Sequence, residues 1–269
     1  MHKRGIILII LILSMALVLT GCISVHIGNG KMIVGNGQME TKDVSIEKDI
    51  TGVYNSGSID VVIDPKLSGE AVIEAESNII DYVEITQDAQ GSLSVSFDDD
   101  VNISLSRGVK VRIPAVTGGT IEVDGSGSIT LDSAEPLTGS DFNVRIEGSG
   151  DIRLSLDAES LEAGINGSGD IDLALKARQL KAGVYGSGRI AVSGSADSAD
   201  ITIEGSGDFR GGDCAMQKAD VSIAGSGNIN INVSSELTGS INGSGDVVYS
   251  GDPAKVSVSD DGSGDLIKR

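Results

Sequence analysis

The side chains able to do chemistry in this chain are few and regularly placed. A carboxylate recurs just after a Gly-Ser-Gly triplet, as Asp151, Asp170, Asp208, Asp246 and Asp265, while Ser128, Arg189 and Asn228 fill the same position in other copies. Stacked carboxylates are a donor set for calcium, which takes six to eight oxygens, and Glu147, Glu204 and Asp261 stand near enough in sequence to add ligands. Asp and Asn are also turn formers in their own right, because their short side chains bond nearby backbone groups. Turn chemistry outweighs calcium here: Arg189 and Asn228 interrupt the column, and calcium-binding roll repeats are nonapeptides. Paired acids such as Asp151 and Asp170, with Arg189 beside them, are raw material for polysaccharide cleavage. Against that stand the absence of Trp, only four Tyr and three Phe, and repeats too short to carry cleft-forming loops. Serine, cysteine or zinc chemistry lacks partners, since the histidines are His2 and His26 and the cysteines Cys22 and Cys214, too sparse for a nucleophile–base pair or a metal cluster. Cys214 reads as an inert structural thiol. No catalytic residue, resident metal or cofactor is assigned.

Cys22 carries a different chemistry. Lys3 and Arg4 open the chain, Ile6 to Leu19 is an apolar run broken only by Ser14, and Leu19-Thr20-Gly21-Cys22 follows. A basic start, a short apolar stretch and small residues before a cut site mark a signal peptide, and the run is short for a membrane span. Leu-Thr-Gly-Cys resembles the bacterial lipobox. That resemblance implies removal of residues 1–21, diacylation of the Cys22 thiol and acylation of its new amino group, and several acyl chains give stable anchoring. Loss of Lys3 and Arg4 leaves 18 basic against 39 acidic side chains, a net −21 where the whole chain has −19. So acidic a surface repels phosphate backbones and excludes nucleic acid as partner. With Cys22 lipidated, Cys214 has no disulfide partner.

These groups must be positioned by strands. Gly is abundant at 37 residues and Pro scarce at 4, yet 39% of the chain is hydrophobic and alternates with polar residues at period two. Residues 22–42, with "IGNGKMIVGNGQ", read as a flexible tether. No Lys-Ser or Lys-Thr follows those glycines, so they are not a phosphate loop. Residues 43–118 read as short strands, among them "DVSIEKDI", "GSIDVVID", "EAVIEAE", "GSLSVSF", "VNISLS" and "VKVRIP". "NIIDYVEI" at 78–85 reads as a strand or edge loop rather than a helix.

From 119 to 269 a repeat takes over. The triplet glycines are Gly125 and Gly127, Gly148 and Gly150, Gly167 and Gly169, Gly186 and Gly188, Gly205 and Gly207, Gly225 and Gly227, Gly243 and Gly245, and Gly262 and Gly264. Successive first glycines are 23, 19, 19, 19, 20, 18 and 19 residues apart. Such a period marks a solenoid, one coil per repeat. Apolar residues recur in register two before the first glycine (Val123, Ile146, Ile165, Val184, Ile203, Ile223, Ile241) and four after it (Ile129, Ile152, Ile171, Ile190, Phe209, Ile229, Val247, Leu266). Each repeat is therefore strand, Gly-Ser-Gly corner, strand, stacked at about 4.8 Å into parallel ladders, with right-handed crossovers. Glycine is required where the corner needs positive φ or close backbone approach, and the serine is placed to bond neighbouring corners. In the last repeat Asp260 and Lys268 replace apolar residues, as in a terminal cap that blunts a sheet edge. That polar cap argues for a monomer.

The lipobox leader, "SGSIDVVI", "GSLSVSF", "VKVRIP", "IEVDGSGSITL" and the repeated "GSGDI" together resemble the auto-transporter adhesin, head-GIN domain family, over roughly residues 43–250. The resemblance implies an all-β, right-handed parallel β-helix or β-solenoid in a protein of the bacterial cell envelope, lipid-anchored and extracytoplasmic. It brings no catalytic residues. The expected function is a non-catalytic adhesin or surface scaffold that meets a protein or glycan ligand through a sheet face. The alternatives are a carbohydrate-active β-helix enzyme and an accessory envelope-stress protein.

Overall fold

A chain that repeats one turn every 19 residues must solve the same steric problem at every coil. The first glycine of each corner lies directly over the one before it, in the unbroken column Gly57, Gly125, Gly148, Gly167, Gly186, Gly205, Gly225 and Gly243. Gly148 shows why no side chain fits. Its φ is +127°, and a Cβ there would stand 2.5 Å from the Gly125 carbonyl oxygen. The second glycine turns inward and is buried, and a Cβ on Gly150 would sit 2.6 Å from Val123 Cγ1. The corner is thus closed by backbone packed on backbone. The serine between the glycines contributes its amide, not the hydroxyl expected from sequence: Ser149 N donates to Gly125 O and Ser168 N to Gly148 O, both at 2.8 Å, while the serine side chains face solvent.

The computed structural model describes residues 31–269, of which Met32–Arg269 form one unit. The leader 1–21, Cys22, His26 and the first part of the tether lie outside the described residues. The first strands are β1 (Lys31–Val34), β2 (Met39–Ser45), β3 (Gly52–Gly57), β4 (Ile59–Ile63), β5 (Glu70–Glu76), β6 (Val83–Gln87), β7 (Ser92–Phe97), β8 (Val101–Ser104) and β9 (Val109–Ile113). The solenoid continues with β10 (Gly119–Gly125), β11 (Ser128–Leu131), β12 (Leu137–Gly148), β13 (Asp151–Gly167), β14 (Asp170–Gly186), β15 (Arg189–Gly205), β16 (Asp208–Gly225), β17 (Ile229–Gly243), β18 (Val247–Ser250), β19 (Lys255–Asp260) and β20 (Leu266–Lys268). Every pairing from β10 onward is parallel. The expected all-β solenoid is what the chain forms.

Stacking puts like side chains over like. Ile146, Ile165, Val184, Ile203, Ile223 and Ile241 form one interior column, and Ile129, Ile152, Ile171, Ile190, Phe209, Ile229 and Val247 another, each residue at most 1% exposed. Burying such a side chain is worth about 1.5–3 kcal/mol, so the columns supply the driving force that the small corner residues cannot. Each long strand also bends a second time, which the sequence reading missed. The inward alternation slips by one between Ala158 and Leu161, Ala177 and Leu180, Ala196 and Ala199, and Met216 and Ala219. The residues at that bend differ from rung to rung, so no motif advertises it. At Gly211-Gly212-Asp213 the register shifts, and this bulge absorbs the extra residue of the 20-residue repeat.

The solenoid starts earlier than residue 119. β3, Gly57 and β4 form a complete rung beneath β10 and β11. Below that rung lie β7, parallel to β3, and β9, parallel to β4. The chain therefore lays one rung, folds back beneath it, and rejoins the stack above it. The lower edge is then closed by antiparallel strands: β6 on β7, β5 on β9, and β2 on β5. Changing direction interrupts the parallel template, which protects an edge from pairing with another chain. Residues 78–85 hold one 3-10 turn, Ile80–Tyr82, followed by β6. Among the described residues there is no α-helix.

The tether expected over 22–42 is ordered in its second half, where β1 and β2 lie. Glu76, fully buried, holds them. Its carboxylate accepts from Gly37 N and Ser106 Oγ at 2.5 Å, Ser106 N at 3.1 Å and Arg107 N at 3.3 Å. Sequence gave no hint of this clamp because its partners lie 30 to 39 residues away. The Ser106 hydroxyl bond, followed by the backbone donors and against the cost of burial, holds the carboxyl at about 2, below its ordinary 4.5.

Two predictions follow from these packings. Gly148→Ala should lower unfolding stability by about 2 kcal/mol, because positive φ and a backbone clash coincide there. An unchanged denaturant midpoint would show that the corner tolerates a side chain. For Glu76, a carboxyl depressed on folding stabilises fully above the unfolded value and loses that contribution as pH falls from about 4.5 toward 2. Glu76→Gln should therefore be less stable than the parent at pH 7, with the gap narrowing over that acid window in pH-dependent melts.

Candidate functional site

The acidic column built by the corners is a hydrogen-bonded ladder. Asp208 Oδ1 accepts from Asn228 N at 3.2 Å and Asn228 Nδ2 at 3.1 Å; Asn228 Oδ1 accepts from Asp246 N at 3.1 Å; Asp246 Oδ1 accepts from Asp265 N at 2.9 Å. Each side chain thus caps the backbone of the next rung, as Asx turns do within one chain segment. In the earlier rungs arginines take that part. Arg189 Nη2 donates to Asp170 at 2.6 Å, and Arg153 lies 3.7 Å from Asp151 and 3.2 Å from Asp172. The structure brings the five aspartates into one line but gives the carboxylates of Asp151, Asp170, Asp208 and Asp246 partners of their own, with Asp265 joined through its amide. Among the described residues no three His, Cys, Asp or Glu side chains gather as a metal requires.

Cys214 lies over Gly194, Leu175 and Leu156 in the same column and is fully buried. Burial pushes its thiol up to about 11, away from the thiolate that reacts.

Outward residues stack as strictly as inward ones, which creates an electrostatic problem: identical charges would lie about 4.8 Å apart. The chain answers by alternating sign between rungs. Asp157, Glu159 and Glu162 occupy β13, and Lys176, Arg178 and Lys181 occupy the matching part of β14. Lys176 lies 3.1 Å from Asp157, and Lys181 3.5 Å from Glu162. Further along, Glu236 sits between Lys255 at 2.6 Å and Lys218 at 3.5 Å; the Lys255 hydrogen bond is the main reason its carboxyl lies below the usual range. Exposed pairs contribute little energy each, but a slip of one rung would set like against like.

One outward face departs from this pattern. Its column runs Tyr54, Glu122, Arg145, Gly164, Gly183, Thr202, Ser222 and Ser240. The neighbouring column holds Asp124, Glu147, Asn166, Tyr185 and Glu204. Two side chains are missing at Gly164 and Gly183; the Tyr185 ring covers the second, and the first opens a shallow trough of about 410 Å³ lined by Arg145, Glu147, Glu162, Asn166 and Tyr185. Partial burial raises the Glu122 carboxyl at its edge, with Arg145 opposing that and Glu147 and Asp124 adding to it. Tyr54 and Tyr185 are 42% and 45% exposed. Of these residues only Glu147 and Glu204 stood out in the sequence, and as possible calcium ligands; the available signal for the trough was a glycine at an outward strand position with no turn around it.

Comparison with known proteins bears on the fold and on the family. Residues 49–174 and 158–253 match the family described as "putative auto-transporter adhesin, head GIN domain". A crystal structure described as a "putative lipid binding protein" from Parabacteroides distasonis is 27% identical with a TM-score of 0.79, covering 89% of this chain and 100% of that one. A "putative adhesin" from Parabacteroides merdae (22% identity, TM-score 0.80) and another from P. distasonis (20%, 0.81) have the same coverage and share the fold. No curated protein matches the chain.

The ladder reading of the acidic column has a direct test. Asn228→Ala removes both the donor to Asp208 and the acceptor for Asp246 N, and should cost about 0.5–1.5 kcal/mol. Calcium should leave the melting temperature of parent and variant alike unmoved. A calcium-dependent rise lost in the variant would turn the column into a cation site.

Proposed function

The chain belongs to the auto-transporter adhesin, head GIN domain family, and from that membership we propose that it is a non-catalytic adhesin or scaffold of the bacterial envelope, held to the membrane through lipid on Cys22. The observation that carries this reading is the in-register ladder. Stacked rungs hold outward side chains in fixed columns, and the interior is filled by the chain's own residues, so a ligand meets the protein on its outer face. A backbone-on-backbone coil of this kind presents that face without reorganising, which lowers the cost of binding. The distribution of charge supports the same role. Pairing keeps the rungs in register while the net −19 keeps the surface soluble and repels polyanions. The relative described as lipid binding agrees with a place at the envelope.

Two measurements test this on the whole chain expressed in a bacterial host. The parent should partition to membranes and incorporate labelled palmitate, and Cys22→Ala should do neither; equal labelling of the variant would overturn the anchor. On arrays of glycans and matrix proteins the protein should capture a ligand without releasing products. Turnover of a polysaccharide that Asp170→Asn abolishes would replace the adhesive reading with an enzymatic one.

A further inference from the structure

We propose that the trough floored by Gly164 and edged by Tyr185 is a saccharide subsite that takes hexopyranose units of a neutral glycan, with the Tyr185 ring as its stacking surface. The inference deepens the adhesive reading above and rests on it.

Two outward glycines, Gly164 and Gly183, stand inside strands away from any corner. A glycine inside a strand is unfavourable, because it loses more conformational freedom than any other residue and offers nothing to pack. The corner glycines have a reason in their φ angles and backbone contacts. Gly164 has neither: its φ is not in the left-handed region, and a Cβ there would meet nothing within 4 Å. What its missing side chain provides is space, and that space is the trough.

Gly183 has a different reason, which points the same way. A Cβ on it would stand 2.9 Å from Tyr185 Cε2 and 3.4 Å from both Cζ and the hydroxyl oxygen. The outer edge of the Tyr185 ring therefore rests against Gly183, close to the strand, while much of the side chain stays exposed. In a chain with 3% aromatic residues and no Trp, a ring that rests on a glycine and is 45% exposed is an unusual commitment of apolar surface. A pyranose has one face of C–H bonds that stacks on such a ring and an equator of hydroxyls that needs polar partners.

Those partners are at hand and incompletely used. Arg145 spends Nε on Asn143 Oδ1 at 2.8 Å, and its Nη2 is 4.0 Å from Glu162, which leaves guanidinium donors facing the trough. Asn166 gives Nδ2 to Glu147 Oε2 at 2.9 Å and keeps its carbonyl oxygen. Planar donors and acceptors side by side match vicinal hydroxyls, which both donate and accept. The trough lies in the size range of small-molecule sites. Its charges balance, Arg145 and Lys181 against Glu147 and Glu162, while Glu122, Asp124 and Glu204 flank it. Uronic acids and sulfated sugars are therefore repelled, and neutral sugars are not. Tyr54 stands in the column of Gly164, three rungs away, about 14 Å at 4.8 Å per rung, so a chain of several sugars laid along the stack reaches a second ring.

The experiment uses the whole chain in detergent and three neutral probes, cellohexaose, maltohexaose and chitohexaose, with hexagalacturonate as the anionic comparator. Calorimetry should show saturable binding of at least one neutral hexasaccharide, tighter than its disaccharide, and none of hexagalacturonate. Tyr185→Ala should weaken it by about tenfold or more. Gly164→Val fills the trough with a residue suited to strands, so it should weaken binding at least as much while the melting temperature holds or rises. Ser222→Val, two rungs beyond Gly183 in the same column, should bind as the parent does. Absence of binding by all three probes, or parent-like binding by Gly164→Val, overturns the site. The adhesive reading fails separately, when the whole chain captures nothing from the glycan and matrix-protein arrays. Capture of a matrix protein that Gly164→Val abolishes, with the sugars silent, would make the trough a protein site and overturn the saccharide assignment.

Discussion

The structure rests on one contact: the backbone of a corner glycine pressed against the carbonyl of the glycine one rung below. The serine amide closes the contact with a hydrogen bond at every coil. Because it is made by main chain, it fixes the vertical distance and the rotation between rungs whatever the side chains are. Everything else inherits that register. Isoleucines meet isoleucines in the interior because the corners leave them no other place, and the interior columns in turn repay the conformational cost of so many glycines. A Cβ at a corner would disturb two rungs at once, the one it belongs to and the one it strikes.

Strict register has an electrostatic price on the outside. Parallel stacking of near-identical repeats sets each charged residue over its own counterpart. In this chain the rung rich in Asp and Glu is followed by one carrying Lys176, Arg178 and Lys181, so that the repeats resemble one another inside and differ outside. Some like-charged neighbours are bracketed by other partners: Asp151 and Asp170 by Arg153 and Arg189, and Asp220, paired with Asp200, by the Thr238 hydroxyl at 3.1 Å. A sheet whose outward columns are matched only in one alignment resists both slippage and pairing with a second molecule.

What could be read in the sequence followed from repetition. Ile146, Ile165 and Ile203 announced an interior column, and the triplets announced the corners, because the same residue types recur at a fixed spacing. Asp208, Asn228 and Asp246 were legible as turn residues for the same reason, although their true partners, the amides of the next rung, were not. Features built once left no such trace. The rung at 53–63 has Gly57-Ser58-Ile59 in place of the triplet, and Asn55, two residues before it, occupies a position that is Val or Ile above it; its Nδ2 reaches Ile59 O at 2.7 Å and Ser128 O at 3.2 Å. The Glu76 clamp joins segments distant in sequence. The trough is defined by atoms that are not there, and glycine in a glycine-rich chain is the least conspicuous residue.

The position of that early rung matters for how the molecule assembles. From β12 to β17 each strand finds its partner about one repeat away along the chain, so ordering it closes only a short loop. Val53, in contrast, meets Ile121 across 68 residues and Leu93 across 40. Loop-closure entropy grows with separation, and distant contacts slow the formation of the elements that need them. The central coils accordingly close short loops one after another, whereas the N-terminal end, where one rung is threaded between two that come later in the chain, joins segments that only a much longer loop brings together.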